Sequence, residues 1–289
     1  MGRLEGKVAI VTGAGCVGTG WGNGRAMAVR FAGEGARVFA VDRDPERLKE
    51  TLERAGYGSA ASGAAPGANP GTNPGTNPGT GAAAMMVAHQ CDATDSASVK
   101  AMIDAAIRQF GRIDILVNNV GGSAAGGPVE MSEEVWDAQI DFNLKSVFLG
   151  CKHVLPLMEA QGSGVIINIA SSSGLRWTGA AQVAYAATKA AVMQLTKVVA
   201  VQYAPKGIRV NCVVPGQLHT PMVEPRLAKQ RAGGDVEALL ASRRKRIHLG
   251  FMGDGRDTAN AALFLASDEA KFITGTDIIV DGGMTARCD

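Results

Sequence analysis

Seven short apolar runs punctuate the chain, and each stops at a small or polar residue. They are Lys7–Thr12, Ala36–Val41, Met85–Cys91, Ile113–Val117, Val165–Ala170, Ile208–Val214 and Asp277–Val280. Continuous apolar runs of this length predict strands buried on both faces, as in a parallel sheet. Between them lie segments with apolar residues at helical spacing. RAMAVRFAGEG follows the first run with Ala26, Val29 and Phe31 on one side. Pro45–Ala55 predicts a charged helix, with Ser96 the N-cap of a helix reaching Phe110. Longer patterns cover Ser132–Met158, the stretch around Tyr185 to Tyr203, and Asp257–Ala266. Strand–helix alternation throughout predicts an α/β fold, a single Rossmann-type doubly wound parallel sheet flanked by helices over residues 1–289.

Two segments break the pattern. Residues 56–83 are dominated by Gly, Ala, Pro, Thr and Asn, and Asn-Pro-Gly-Thr occurs three times in tandem, at 69–72, 73–76 and 77–80. Such a segment cannot bury enough apolar surface to offset ordering, so it predicts a low-complexity, turn-rich loop. It joins a helix to a strand, the end of a doubly wound sheet away from the ligand crevice, and it reads as a surface insertion without a catalytic role. Residues 217–254 are polar and helical in pattern, between two glycine-bearing hinges.

Composition narrows the class. The 289 residues are 46% hydrophobic and 19% charged, with a net charge of +2, which gives no electrostatic case for nucleic acid or membrane partners. The five cysteines (16, 91, 151, 212 and 288) are scattered and odd in number, which predicts reduced thiols in a cytoplasmic protein and no metal site. The first strand pattern begins at Lys7, leaving no room for a signal peptide. Apolar runs stop well short of the ~18 residues of a membrane helix.

The candidate chemistry begins in the first strand–helix–strand unit. Thr12-Gly13 opens the glycine-rich stretch GAGCVGTGWGNG, a helix follows, and the second strand ends at Asp42. This is the order of a dinucleotide-binding unit: glycines let the backbone approach a pyrophosphate, and the helix N-terminus offers free N–H groups and a positive dipole end. A carboxylate at Asp42 can accept from the adenosine ribose and would repel a 2′-phosphate by about 4 kcal/mol at 4 Å in an effective dielectric near 20. That favours NAD over NADP; Arg43 beside it softens the preference. The other reading of Asp42 is a helix N-cap before Pro45-Glu46.

The second candidate is NIASSSGLRWTGAAQVAYAATK, Asn168–Lys189. Tyr185 and Lys189 are four residues apart and share a helix face. An ammonium there lowers the phenol's titration from ~10. A drop of ~3 units, about 4 kcal/mol, would poise Tyr185 as a general acid–base near neutral pH. Trp177 is expected as a cavity wall.

With Asp92 after the third strand, Asn118-Asn119-Val120-Gly121, Asn143, and Pro215-Gly216 with Thr220, the chain resembles the short-chain dehydrogenase/reductase family over essentially its whole length. The resemblance implies that Tyr185 passes a proton to or from the substrate oxygen, that Lys189 lowers its pKa and holds the nicotinamide ribose, that Ser171 bonds the substrate oxygen and that Asn143 positions a water in a proton relay. It places Asp92 and Ala93 against the adenine, Asn119 near its ribose, and Pro215, Gly216, Leu218 and Thr220 against the nicotinamide amide. It makes 217–254 a substrate-covering segment and implies a homotetramer acting on a small alcohol or ketone.

Departures from the family pattern raise alternatives. The loop is longer than T-G-x-x-x-G-x-G. Counting back from Gly35-Ala36 and Asp42 makes Gly22 and Gly24 the later glycines, flanking Asn23, with the extra residues within Gly15–Trp21. The alternative pair, Gly18 and Gly20, would push two glycines into a helix at ~1 kcal/mol each. Trp21 then sits beside the phosphates or packs over the loop. The family spacing to Tyr185 points to Ser172, whereas strand register through Asn168 and Gly174 points to Ser171, which is preferred because register fixes side-chain direction. In 217–254, the run Arg243-Arg244-Lys245-Arg246 reads as a solvated helix face or as a source of one arginine for an acidic substrate, with His219, Arg226 and Arg231 nearby. Two rival functions remain: a dehydratase or epimerase using bound NAD, and a regulatory protein that binds NAD without turnover.

Overall fold

The computed structural model describes residues 2–56, 85–222 and 235–286. The segment expected to be turn-rich, 56–83, lies outside the described residues except for Gly56, and so do 223–234 within the segment 217–254.

All seven expected strands form: β1 (Val8–Thr12), β2 (Arg37–Asp42), β3 (Met86–Gln90), β4 (Ile115–Asn118), β5 (Gly164–Ile169), β6 (Ile208–Pro215) and β7 (Asp277–Val280). They make one parallel sheet in the order β3-β2-β1-β4-β5-β6-β7. Each strand's alternation divides its side chains between two cores. Val8 and Ile10 of β1 and Leu116 of β4 face α3 (Ser96–Phe110), α5 (Ser146–Gln161) and α6 (Val183–Tyr203). Ala9, Val11, Ile115 and Val117 face the other way, against α1 (Asn23–Gly33), α2 (Glu46–Arg54) and Ala259–Ala266. That last helix is α8 (Gly255–Ala266); α4 (Glu133–Ile140) and α7 (Val236–Arg244) complete the set.

Three helix boundaries differ from expectation. The N-cap of α3 is Asp95, not Ser96: its carboxylate accepts from Ser98 N at 2.6 Å, a stronger acceptor than a hydroxyl at the positive end of a helix. The pattern over 132–158 is two helices, α4 and α5, joined through a π turn at Asp141–Lys145. Helix α8 starts at Gly255 because Asp254 and Asp257 form a reciprocal capping box.

Strand order reverses its winding between β1 and β4, so their C-terminal ends open a crevice. It is stitched shut at its base. Thr12 Oγ1 donates to Val117 O at 3.1 Å and accepts from Asn119 N at 3.0 Å. The Asn119 amide donates to Thr12 O and Gly13 O, both at 3.1 Å.

Candidate active site

A cavity of about 630 Å³ fills this crevice. It runs from Asp42, Arg43, Asp92 and Ala93, past Gly13, Gly22, Asn23 and Gly24, to Ser171, Tyr185, Lys189 and the 215–220 segment. Every expected cofactor residue lines it: Asn119, Gly121, Pro215, Gly216, Leu218 and Thr220 as well as those just named.

The glycines of the loop differ in where they lie and in what surrounds them. Gly22 is the extended N-cap residue of α1, and Gly24 sits in its first turn. A Cβ on Gly24 would lie 1.8 Å from Gly13 O, so only glycine lets α1 come this close to the strand end. Gly18 and Gly20 instead lie within the extra residues, where a Cβ on either would meet Pro221. Trp21 packs over the back of the loop, away from the cavity, between the Arg54 and Arg256 guanidiniums at 4.6 and 5.7 Å from its ring. Asp42 does not cap a helix: its carboxylate accepts from Gly15 N at 3.0 Å and Asp44 N at 3.1 Å. Asp92 is held below the ordinary carboxylate range, first by the Thr94 backbone N–H and then by the Thr94 hydroxyl.

At the other end, Lys189 is 3% exposed and its Nζ donates to Ile169 O at 2.8 Å, at the end of β5. The same Nζ lies 5.7 Å from the Tyr185 ring centroid. Gly121 permits this packing, since a Cβ there would lie 2.8 Å from Asn143 Oδ1 and 3.0 Å from Lys189 Nζ. Asn143 itself is fully buried and stands behind the cavity wall, in the π turn, a rare element that recurs at functional sites. Its Oδ1 accepts from Gly122 N at 2.9 Å and its Nδ2 donates to Gly122 O at 3.1 Å, holding the two peptide units on either side of Gly122.

Burial pushes the Lys189 ammonium down from the usual 10.5 to about 8. Below pH 8 the folded chain carries the desolvated charge. Between 8 and 10.5 the unfolded chain holds a proton that the folded chain has released, so stability rises with pH across this window. The shift is worth ~3 kcal/mol. In urea titrations, the stability of Lys189→Met relative to the parent is therefore expected to be highest below pH 8 and to fall by ~3 kcal/mol by pH 10.5. A difference that stays flat across the window would show that the ammonium is not desolvated.

The three serines separate. Ser171 accepts from Ser173 N at 3.2 Å, which uses a lone pair and leaves its hydroxyl proton available. Ser173 is engaged by Thr178 at 3.0 Å and by Gln182 Nε2 at 2.7 Å. Ser172 is buried in the 3₁₀ turn Ser172–Gly174. All three line the cavity. Trp177 does not: it is 76% exposed, and its neighbour Thr178 forms the wall instead. Thr178 is fixed by Gln217 Nε2 and Arg246 Nη1, which donate to its carbonyl at 2.9 and 2.8 Å.

The basic run divides likewise. Arg244 and Lys245 are exposed, but Arg243 shares a buried face with Leu239, lines the cavity and donates to Leu218 O at 3.2 Å. Arg226 and Arg231 lie outside the described residues. Sequence reasoning missed Thr178, Gln182 and Gln217, which carry no motif and are recruited by loop geometry alone. Among the described residues, no cluster of His, Cys, Asp and Glu could hold a metal ion, and no helix is long and apolar enough to cross a membrane.

A family model described as Enoyl-(Acyl carrier protein) reductase, of the short-chain dehydrogenase/reductase type, matches residues 77–285. The chain is a short-chain dehydrogenase/reductase. It superimposes on a putative short-chain dehydrogenase/reductase from Burkholderia xenovorans with a TM-score of 0.87, at 56% identity and with both chains fully covered. It is 38% identical to Oxidoreductase UcpA of Escherichia coli over 290 residues, 99% of this chain and 97% of that one. It is 39% identical to 3beta-hydroxysteroid dehydrogenase 1 of Eggerthella lenta over 288 residues, 98% and 95% of the two chains. It thus joins an oxidoreductase family that includes hydroxy-group dehydrogenases and uses a nicotinamide cofactor.

Proposed function

We propose that this reductase is an NAD(H)-dependent dehydrogenase that interconverts a secondary alcohol and a ketone, with Tyr185 as general acid–base. The observation that carries this reading is the desolvated Lys189 ammonium, anchored to Ile169 O beside the Tyr185 ring at the end of a glycine-lined cavity.

The residues fit a dinucleotide. Gly24 allows a backbone approach that no other residue would. Asn23, at the first position of α1, lines the cavity, and its backbone N–H is one of the first-turn donors that a helix leaves without an internal partner. Gly22, Asn23 and Gly24 would hold the pyrophosphate, Asp42 and Arg43 the adenosine ribose, Asp92 and Ala93 the adenine, and the 215–220 segment the nicotinamide amide. The nicotinamide supplies the hydride chemistry.

The chain's own residues manage the proton. Ser171 offers its hydroxyl to the substrate oxygen. Tyr185 takes the proton from the alcohol or returns it to the ketone. Lys189, charged near neutral pH, favours the phenolate. Asn143 acts by holding Gly122, and with it the wall beside Lys189.

The direct test is NADH formation with a panel of secondary alcohols and NADH consumption with the matching ketones. Activity with some member supports the reading. Dinucleotide binding without turnover across both panels would favour the regulatory alternative.

Asp42 sets the cofactor preference on this reading. Repulsion of about 4 kcal/mol against a 2′-phosphate exceeds what a tenfold preference requires, about 1.4 kcal/mol. Asp42→Ser is expected to narrow the NAD-over-NADP ratio in kcat/KM by at least ~10-fold. Its lost bond to Gly15 N should also raise the NAD KM. An unchanged ratio would remove Asp42 from cofactor choice.

A further inference from the structure

The loop between Gly15 and Trp21 forms no regular element, yet three of its members, Gly15, Cys16 and Val17, line the cavity. Backbone without secondary structure must find partners elsewhere. Here they are supplied by Arg25, in the first turn of α1. Arg25 is 1% exposed, the most deeply buried arginine among the described residues. Its Nη1 donates to Gly18 O at 3.1 Å and Gly20 O at 2.9 Å and pairs with Glu50 Oε2 at 2.7 Å; its Nε donates to Thr51 Oγ1 at 3.2 Å.

The second shore of this network is α2. Thr51 Oγ1 donates to Ala14 O at 2.8 Å, just before the loop. Glu50 Oε1 accepts from Gly20 N at 3.4 Å and from Arg54 Nε at 2.8 Å. The loop is therefore gripped at Ala14, Gly18 and Gly20, with Asp42 holding Gly15 from the cavity side.

These bonds orient peptide planes. In a trans peptide the C=O and the following N–H point in opposite directions, and the described residues contain no cis peptide bond. Turning Gly18 O and Gly20 O toward the guanidinium therefore turns the N–H groups of Thr19 and Trp21 away from it. A hydrophobic residue at position 25 could bridge α1 and α2 by packing, but it could not set these orientations. A buried guanidinium without such partners would be strongly unfavourable, so the charge and the loop conformation require each other.

We infer that Arg25 is the positioning residue of the extended nucleotide loop, holding it in the one arrangement that leaves Gly22, Asn23 and Gly24 presented to a bound dinucleotide. This rests on the proposed dinucleotide-dependent activity. Arg25 is not among the residues that line the cavity, so its role is to fix the loop and not to react.

The experiment measures kcat, the dinucleotide KM, the calorimetric affinity for NADH and the melting temperature of Arg25→Met, Arg25→Lys and Glu50→Gln. Arg25→Met is expected to raise the dinucleotide KM and weaken NADH binding at least tenfold, with kcat at saturation within threefold of the parent. Arg25→Lys, which keeps a donor and a charge but not the fork, should recover part of that loss. A lowered melting temperature with an unchanged KM and NADH affinity would make Arg25 a brace between α1 and α2 and overturn the inference. If Arg25→Met does not fold, Glu50→Gln decides: a threefold or greater rise in KM supports it, and no rise overturns it. A parent protein that binds none of NAD, NADH, NADP or NADPH would remove the dinucleotide reading and this inference with it; binding at the parent's affinity in all three variants would remove only the inference.

Discussion

Tyr185→Phe is expected to lower turnover at least ~10²-fold while NADH binds within a few fold of the parent affinity. General acid–base catalysis is typically worth 10²–10⁴ in rate, and phenylalanine keeps the ring while removing the only atom that can carry the proton. The ring packs near the Lys189 ammonium, which Ile169 O holds in place independently of Tyr185. Losing the hydroxyl should therefore leave the cavity walls standing, and the loss should appear in kcat and in kcat/KM alike. Steady-state kinetics with the best alcohol of the panel, beside a calorimetric NADH titration, provides the check. Turnover near that of the parent would end the assignment of Tyr185, whatever the cofactor.

The second large effect is steric. Gly24→Ala places a methyl group 1.8 Å from Gly13 O and 2.6 Å from Asn119 Nδ2. Neither can yield cheaply: Gly13 is in the left-handed region at φ 62°, and the Asn119 amide is bonded to Thr12 O and Gly13 O. The first turn of α1 must retreat, carrying Gly22 and Asn23 with it. Helix propensity alone would favour alanine by ~1 kcal/mol, so any net loss measures the contact. Dinucleotide affinity should fall at least ~10²-fold, with a lower melting temperature. Gly33→Ala is the control. A Cβ there meets nothing within 4 Å, so at the far end of the same helix alanine should be neutral or stabilising. Equal behaviour of the two variants would contradict the close approach.

Much of this was legible in the sequence because burial on both faces of a parallel sheet writes itself as unbroken apolar runs. All seven strands were found that way, and their ends located the cavity. Counting back from Asp42 put Gly22 and Gly24 at the start of α1, where the structure has them, because strand and helix lengths fix the register of the turn between them. Two kinds of information were not legible. The first is the environment of polar side chains on helices: Arg25 and Arg243 look like surface residues in a periodic pattern, yet both are buried, one against loop carbonyls and one against Leu218 O. The second is the local geometry of irregular backbone. Trp177 and Thr178 are adjacent, and the bonds that hold the smaller one at the cavity come from Gln217 and Arg246, far along the chain. Asn143 shows the same limit in a helix: its residue type marked it, but not the π turn that brings its amide to Gly122.

The stitching of Thr12 to Asn119 has a kinetic side. These two residues are 107 positions apart in the chain, so the crevice between β1 and β4 closes only after a long stretch of polypeptide has been gathered in. Contacts of such range slow folding. Their entropic cost, however, grows only with the logarithm of the intervening length. Residues 57–84, with their tandem repeats, add about 0.3 kcal/mol to that closure on this scaling. A chain of this design can lengthen or shorten between α2 and β3 at little thermodynamic cost, while Thr12 and Asn119 continue to meet.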